Sequence, residues 1–156
     1  DDGKNCIVLR KGDKEAVIRV GGRHASLIFL HSAFVNNPKD PAIAGARVRR
    51  WMYGWPCGEY VVHWDDGSHA FLPVRLTLNV KRFDTSSLNR ATNESRYVWS
   101  LTDAAGRDIH LYQWEWANPK PDREIVRLVV RHDNELDVSL ILFAISAREP
   151  REGTTR

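Results

Sequence analysis

Two ten-residue runs do most to limit the folds open to this chain: ASLIFLHSAF at residues 25–34 and VSLILFAISA at residues 138–147. Each is apolar at both alternating sets of positions, and neither has the 3.6-residue spacing of an amphipathic helix. Such runs predict central strands covered on both faces. Between and beside them lie shorter β-rich segments, at residues 6–10, 15–20, 59–65, 68–76, 96–102, 107–116 and 124–131, each bounded by turn residues. About nine strands, no convincing helix and turns between successive runs predict an all-β fold: an antiparallel β-sandwich, jelly-roll-like. Residues 1–150 read as one sandwich domain, and residues 151–156 as a polar tail.

The local patterns carry more detailed expectations. Lys11-Gly12-Asp13-Lys14 reads as a hairpin joining the first two runs. Ala16, Ile18 and Val20 share one side of the second run, with Glu15 and Arg19 on the other. His31 sits on the face of Leu27 and Phe29 and reads as a hydrogen-bonded core histidine rather than a ligand. Asp66-Gly67 predicts a two-residue hairpin turn. That register places Tyr60, Val62, Trp64, His69 and Phe71 on one inward face and makes Trp64 structural. It also separates His63 from His69 onto opposite faces, against a metal site at His-x-Asp…His. Val126, Leu128 and Val130 are expected to face inward, and Trp99, in mid-strand, reads as core.

Residues 36–58 (NNPKDPAIAGARVRRWMYGWPCG) have no clean period, and three prolines with three glycines break any regular element. A connection this long inside a compact domain tends to be functional. It carries Trp51, Tyr53 and Trp55 beside Arg47, Arg49 and Arg50, aromatic area next to forked cationic donors. The plainer reading is a loop that folds back to cap one end of the sandwich. Residues 79–95 form a second polar, turn-rich stretch.

Charge narrows the partners. The formal net charge of +3 comes from basic and acidic residues mixed along the chain, and the one dense basic cluster is Arg47-Arg49-Arg50. This argues against nucleic acid, whose binders carry a segregated basic face. No apolar run reaches the length of a membrane span. The start, Asp1-Asp2-Gly3, reads as that of a mature or excised fragment. Cys6 and Cys57 are either one disulfide or two buried thiols, and no zinc spacing exists.

Catalytic signatures are missing: the sequence holds no Gly-x-Ser-x-Gly elbow, Walker loop, His-Glu-x-x-His or dinucleotide fingerprint. Glu115, between two tryptophans, is the one carboxylate worth examining as an acid or base, with His63 beside it for mutation. A strand glutamate paired to an arginine is the plainer account of Glu115. Binding is better supported. Six tryptophans are more than a small core needs, and an indole offers a flat apolar face with an N–H donor. That face matches the axial C–H face of a pyranose ring, while Arg, Asn, Asp and Glu can serve its hydroxyls. Trp114 and Trp116 end a strand beside the stiff Asn118-Pro119-Lys120-Pro121 turn, so they border the same rim or close the core.

At residues 112–125, YQWEWANPKPDREI, followed by the apolar strand LILFAI at residues 140–145, the sequence resembles a galactose-binding-like β-sandwich domain. Such domains are appended to secreted bacterial glycoside hydrolases and other polysaccharide-active proteins. The stretches IVLR at residues 7–10, ASLIFLHSA at 25–33 and GEYVVHWDDGS at 58–68 are similar to it as well, in the same order. The resemblance implies a non-catalytic module that binds polysaccharide or oligosaccharide, or an accessory sandwich packed on a linked catalytic domain. It also implies a secreted, extracellular or periplasmic location. Two departures stand out: residues 36–50 form a longer loop than such domains show, and the family has further strands before the segment that starts here.

The resemblance carries over no binding motif, so the expected carbohydrate-binding residues rest on the loop argument. They are Trp51, Tyr53, Trp55, Arg49, Arg50, Trp114, Trp116 and Asn118. No catalytic residue and no cofactor are expected. Structural calcium occurs in related sandwiches, and Asp84, Asn89 and Asn93 offer loop oxygens, although their spacing matches no calcium motif.

Overall fold

A computed structural model of the chain describes residues 6–39, 54–83, 94–102, 104–106, 108–133 and 136–150. These residues form nine strands and no helix. A five-stranded sheet holds β1 (Ile7–Leu9), β9 (Val138–Arg148), β3 (Ser26–Val35), β7 (Asp108–Ala117) and β6 (Ser95–Thr102), in that order. A four-stranded sheet holds β2 (Ala16–Arg19), β8 (Ile125–His132), β4 (Trp55–Trp64) and β5 (His69–Leu76). All pairings between these strands are antiparallel, and the two sheets pack face to face as a β-sandwich, as the strand patterning predicts.

The core lies between the inward faces of the two sheets. Leu27, Phe29, Ala33 and Val35 of β3 meet Tyr60, Val62 and Trp64 of β4, with Leu128 and Val130 of β8 and Leu140 of β9 alongside. Phe29 and Tyr60 stack with ring centroids 4.3 Å apart and planes within 6°. The doubly apolar run of β3 is central, flanked by β9 and β7. Its outward Ile28, Leu30 and Phe34 are only half-buried. His31 is fully buried, with Nε2 donating to the Asn79 carbonyl at 2.9 Å. Nδ1 is then the acceptor for the Tyr60 hydroxyl, also at 2.9 Å. Burial pushes this imidazole down to about 4, so it is a neutral core group, as expected.

Several local expectations are corrected. Lys11-Gly12-Asp13-Lys14 does turn the chain, with Asp13 N–H donating to the Arg10 carbonyl and Gly12 at φ 87°. It does not make a hairpin, because β1 pairs with β9 in one sheet and β2 with β8 in the other. Residues 55–58 belong to β4 rather than to the loop. A register shift between Pro56 and Gly58 absorbs the proline. Gly58 is required there, since a Cβ would fall 2.2 Å from the Arg131 carbonyl oxygen.

The β4–β5 register also differs by one residue from the two-residue turn. The loop has three residues, Asp65, Asp66 and Gly67, closed by Gly67 N–H to the Trp64 carbonyl and by Trp64 N–H to the Ser68 carbonyl. Gly67 takes φ 79°, the glycine position of a three-residue hairpin with a bulge. The Asp66 carboxylate accepts from the Ser68 hydroxyl and from its N–H, and Lys120 lies 3.1 Å away. These bonds, from Ser68 first, hold the Asp66 carboxyl below the usual range. His63 therefore faces His69 directly, and Val61 faces Phe71. His69 and Phe71 point outward, with Phe71 54% exposed, while Tyr60, Val62 and Trp64 remain inward. A second shift, between His63 and Trp64 against β8, brings Ile125 into the core and leaves Val126 outside. Trp99 is 58% exposed on the edge strand β6, next to a register shift between Tyr97 and Trp99, and is not core. Cys6 and Cys57 are free thiols.

Candidate functional site

Four of the eight residues singled out for carbohydrate, Arg49, Arg50, Trp51 and Tyr53, lie outside the described residues, as do Asp84, Asn89 and Asn93. The other four have defined surroundings. Trp55 opens β4, pairs with Leu76 and is half-buried against the core. Asn118 is buried and its amide is committed to the chain: Nδ2 donates to the carbonyls of His24 and Lys120, and Oδ1 accepts from Lys120 N–H. It holds the turn after β7 rather than facing a ligand. Trp114 and Trp116 point the same way from β7, two residues apart. Trp114 is 8% exposed and tilts on Phe29, whereas Trp116 is half-buried and tilts on Trp64 at 6.2 Å.

These two indoles line a cleft of about 290 Å³ between β5, the edge of the four-stranded sheet, and β7 of the other sheet. Among the described residues its remaining walls are Phe71, Leu72, Pro73 and Arg75 of β5, Leu78 and Asn79 of the turn that follows, and Glu94 just before β6. The edge position explains the opening: β5 has a neighbour on one side only. The polar framework is set by Asn79. Its Oδ1 accepts from Arg75 N–H at 2.8 Å, and its Nδ2 donates to the Pro73 carbonyl and reaches Glu94 at 3.4 Å. A tight turn at residues 77–79, with Thr77 at φ 77°, is thereby fixed against β5.

Aromatic walls, a guanidinium and a carboxylate around one cleft can grip an apolar ring face and its hydroxyls together. Among the described residues the lining contains no serine, cysteine or histidine, and Glu94 is its one carboxylate. Trp114 and Trp116 were readable as rim candidates from sequence, and the structure brings them into one wall. Arg75, Glu94 and Phe71 were not. The available signal for Arg75 was its place at the end of an edge strand just before a polar turn.

Two other openings compare poorly as sites for a hydroxylated ligand. A groove of about 520 Å³ at the opposite edge is lined by Cys6, Ile7, Ile18 and residues 142–145, with little to orient polar groups. A polar groove of about 430 Å³ on the outer face of the five-stranded sheet includes Glu94, Arg96, Gln113, Glu115 and Arg148. Its groups largely satisfy one another. Glu115 lies 3.5 Å from Arg148 and accepts from the Ser26 hydroxyl at 2.7 Å, and Arg96 donates to Gln113 at 3.1 Å.

No group of three or more metal-ligating side chains stands together among the described residues. Comparison with protein families, curated proteins and solved structures finds no match to this chain.

Proposed function

We propose that the protein is a non-catalytic carbohydrate-binding module that holds polysaccharide or oligosaccharide at the cleft walled by Trp114 and Trp116. The observation that supports this reading is the convergence of two indoles, Arg75 and Glu94 on one open cleft at the sandwich edge. A volume of about 290 Å³ suits one sugar residue, since small-ligand pockets start at roughly 300 Å³. Gly54, at the start of the described segment that leads into β4, lies against Arg75 and Leu78 of the lining. The galactose-binding-like resemblance adds a covalently linked catalytic domain as partner and a secreted or periplasmic setting. Shallow sites of this kind bind at roughly micromolar to millimolar dissociation constants, about −4 to −8 kcal/mol. Glycan-array screening followed by calorimetry tests the reading. A hit should weaken at least tenfold in Trp116→Ala and be unchanged in Trp99→Ala. No saccharide binding at millimolar concentration would end it.

A second reading, a structural accessory sandwich of a larger glycan-degrading enzyme, draws on the apolar groove at the opposite edge. There β1 pairs with only residues 140–142 of β9, leaving Phe143, Ala144 and Ile145 beside Ile18 in the groove. A linked domain packed over that edge would bury it. A chain that stays monomeric, with no exposed apolar patch beyond a few hundred Å², counts against this alternative.

A further inference from the structure

The corrected β4–β5 register places side by side two histidines that the simple turn would have kept apart. Trp64 and Ser68 close the loop with a backbone hydrogen bond, so the next pair outward, His63 and His69, is a non-hydrogen-bonded pair. Side chains at such positions approach most closely across an antiparallel ladder. The two imidazole centroids are 5.7 Å apart with planes at 39°. Two ring nitrogens at about 2.1 Å from one ion would bring their centroids to roughly 4.5–5.5 Å for square to tetrahedral angles. The observed separation lies just above that range, so the two rings must close by roughly 0.2–1.2 Å to share an ion.

We propose that His63 and His69 form an open, two-imidazole site for a borderline divalent transition ion of the nickel or zinc kind on the outer face of the four-stranded sheet. Three observations carry it beyond proximity. Neither imidazole is hydrogen-bonded to another described residue, and the His63 Nε2 is shielded from solvent without a partner. Of the other histidines, His24, His31 and His132 each spend a ring nitrogen on a backbone carbonyl, and His110, though unpartnered, is sealed in the interior away from any ion. His69 is exposed and braced edge-on by Phe71 at 4.9 Å, which orients the ring without consuming its nitrogens.

The surrounding charge sets the character of the site. His63 faces Arg127 of β8, which in turn faces Arg19 of β2, while Arg131 is held by Glu15 at 2.9 Å and Glu59 at 3.7 Å. Burial, then Arg127, His69 and Arg131, lower the His63 pKa against the opposing effect of Glu15. These influences favour the neutral ring over its cation, and a metal requires the neutral form. The same arginines repel the ion, and no carboxylate joins the pair. Binding is weak, selects imidazole-preferring ions and excludes calcium and magnesium, which need oxygen donors.

Calorimetric titration of the whole chain with nickel chloride at pH 7.5 tests this, with calcium chloride as control. One ion per chain should bind saturably, with at least a tenfold loss of affinity in both His63→Gln and His69→Gln. His24→Gln should be unchanged, and Arg127→Gln should bind several-fold more tightly. Paramagnetic broadening by nickel should centre on the β4–β5 outer face. Wild-type affinity in either His63→Gln or His69→Gln, or broadening centred elsewhere, overturns the proposal. His69 is exposed, so its variant keeps the test sound should His63→Gln fail to fold.

Discussion

Acidification should destabilise this protein through one buried side chain, His31. In the folded chain its Nε2–H is given to the Asn79 carbonyl and its Nδ1 receives the Tyr60 hydroxyl proton. A second proton would have to enter at Nδ1, in a site with no exposure, and displace that hydroxyl proton. Burial accordingly sets the folded pKa at about 4, against 6.5 for the free side chain. Between these values the unfolded chain binds more protons than the folded one, so stability is fully present above pH 6.5 and falls as pH drops toward 4. The loss from this group alone is about 2 kcal/mol by pH 5 and about 3 kcal/mol by pH 4, large against a typical domain stability of about 5–15 kcal/mol. Urea unfolding of wild type and His31→Gln at pH 7, 5 and 4 isolates it. The glutamine amide can donate to Asn79 and accept from Tyr60 but does not titrate. The stability advantage of wild type over the variant should shrink by these amounts as pH falls. A constant difference across the range, or an imidazole titrating near 6.5 by NMR in the folded protein, would refute the reasoning.

Other outcomes follow from single contacts. Burial pushes the Cys57 thiol up to about 12, so iodoacetamide should label Cys6 in the native protein and reach Cys57 only after unfolding. Mass spectrometry of the labelled chain reads this directly. Gly58→Ala forces a Cβ against the Arg131 carbonyl and should cost about 3 kcal/mol, seen as a lower urea midpoint at unchanged slope. Gly67→Ala meets open space and should cost only about 1–2 kcal/mol, the price of a left-handed backbone with a side chain. Arg75→Ala should weaken saccharide binding at the cleft about tenfold, by calorimetry, while leaving the melting curve nearly unchanged, because its guanidinium makes no bond to another described residue.

Strand existence was legible because burial writes a period of two, or a doubly apolar run, into local sequence. The run at residues 25–34 marks β3 as central, and Ala16, Ile18 and Val20 do line the core side. Register was less legible, since one residue in a turn inverts every face beyond it. The loop is one residue longer than the two-residue turn, with Asp66 bonded to Ser68 inside it, and that one-residue difference puts His69 and Phe71 on the surface. Sheet membership of β1 and β2 was hidden for another reason. It depends on Leu142 and Val130, more than a hundred residues away, not on the turn between them. Pro56 and Gly58 read as loop because their tolerance within β4 comes from a bulge and from the close approach of β8. At the cleft, alternation singled out Trp114 and Trp116, but Arg75 and Glu94 converge only through the Asn79 turn.

The proposed carbohydrate site requires sugar rings to dock against the β7 indoles. Indole N–H resonances, followed during titration with the strongest array glycan, test this most directly. The expected result is saturable shifts at Trp116 and Trp114, with Trp99 unmoved on the opposite face of its sheet. Saturable binding that leaves both β7 indoles unshifted would contradict it.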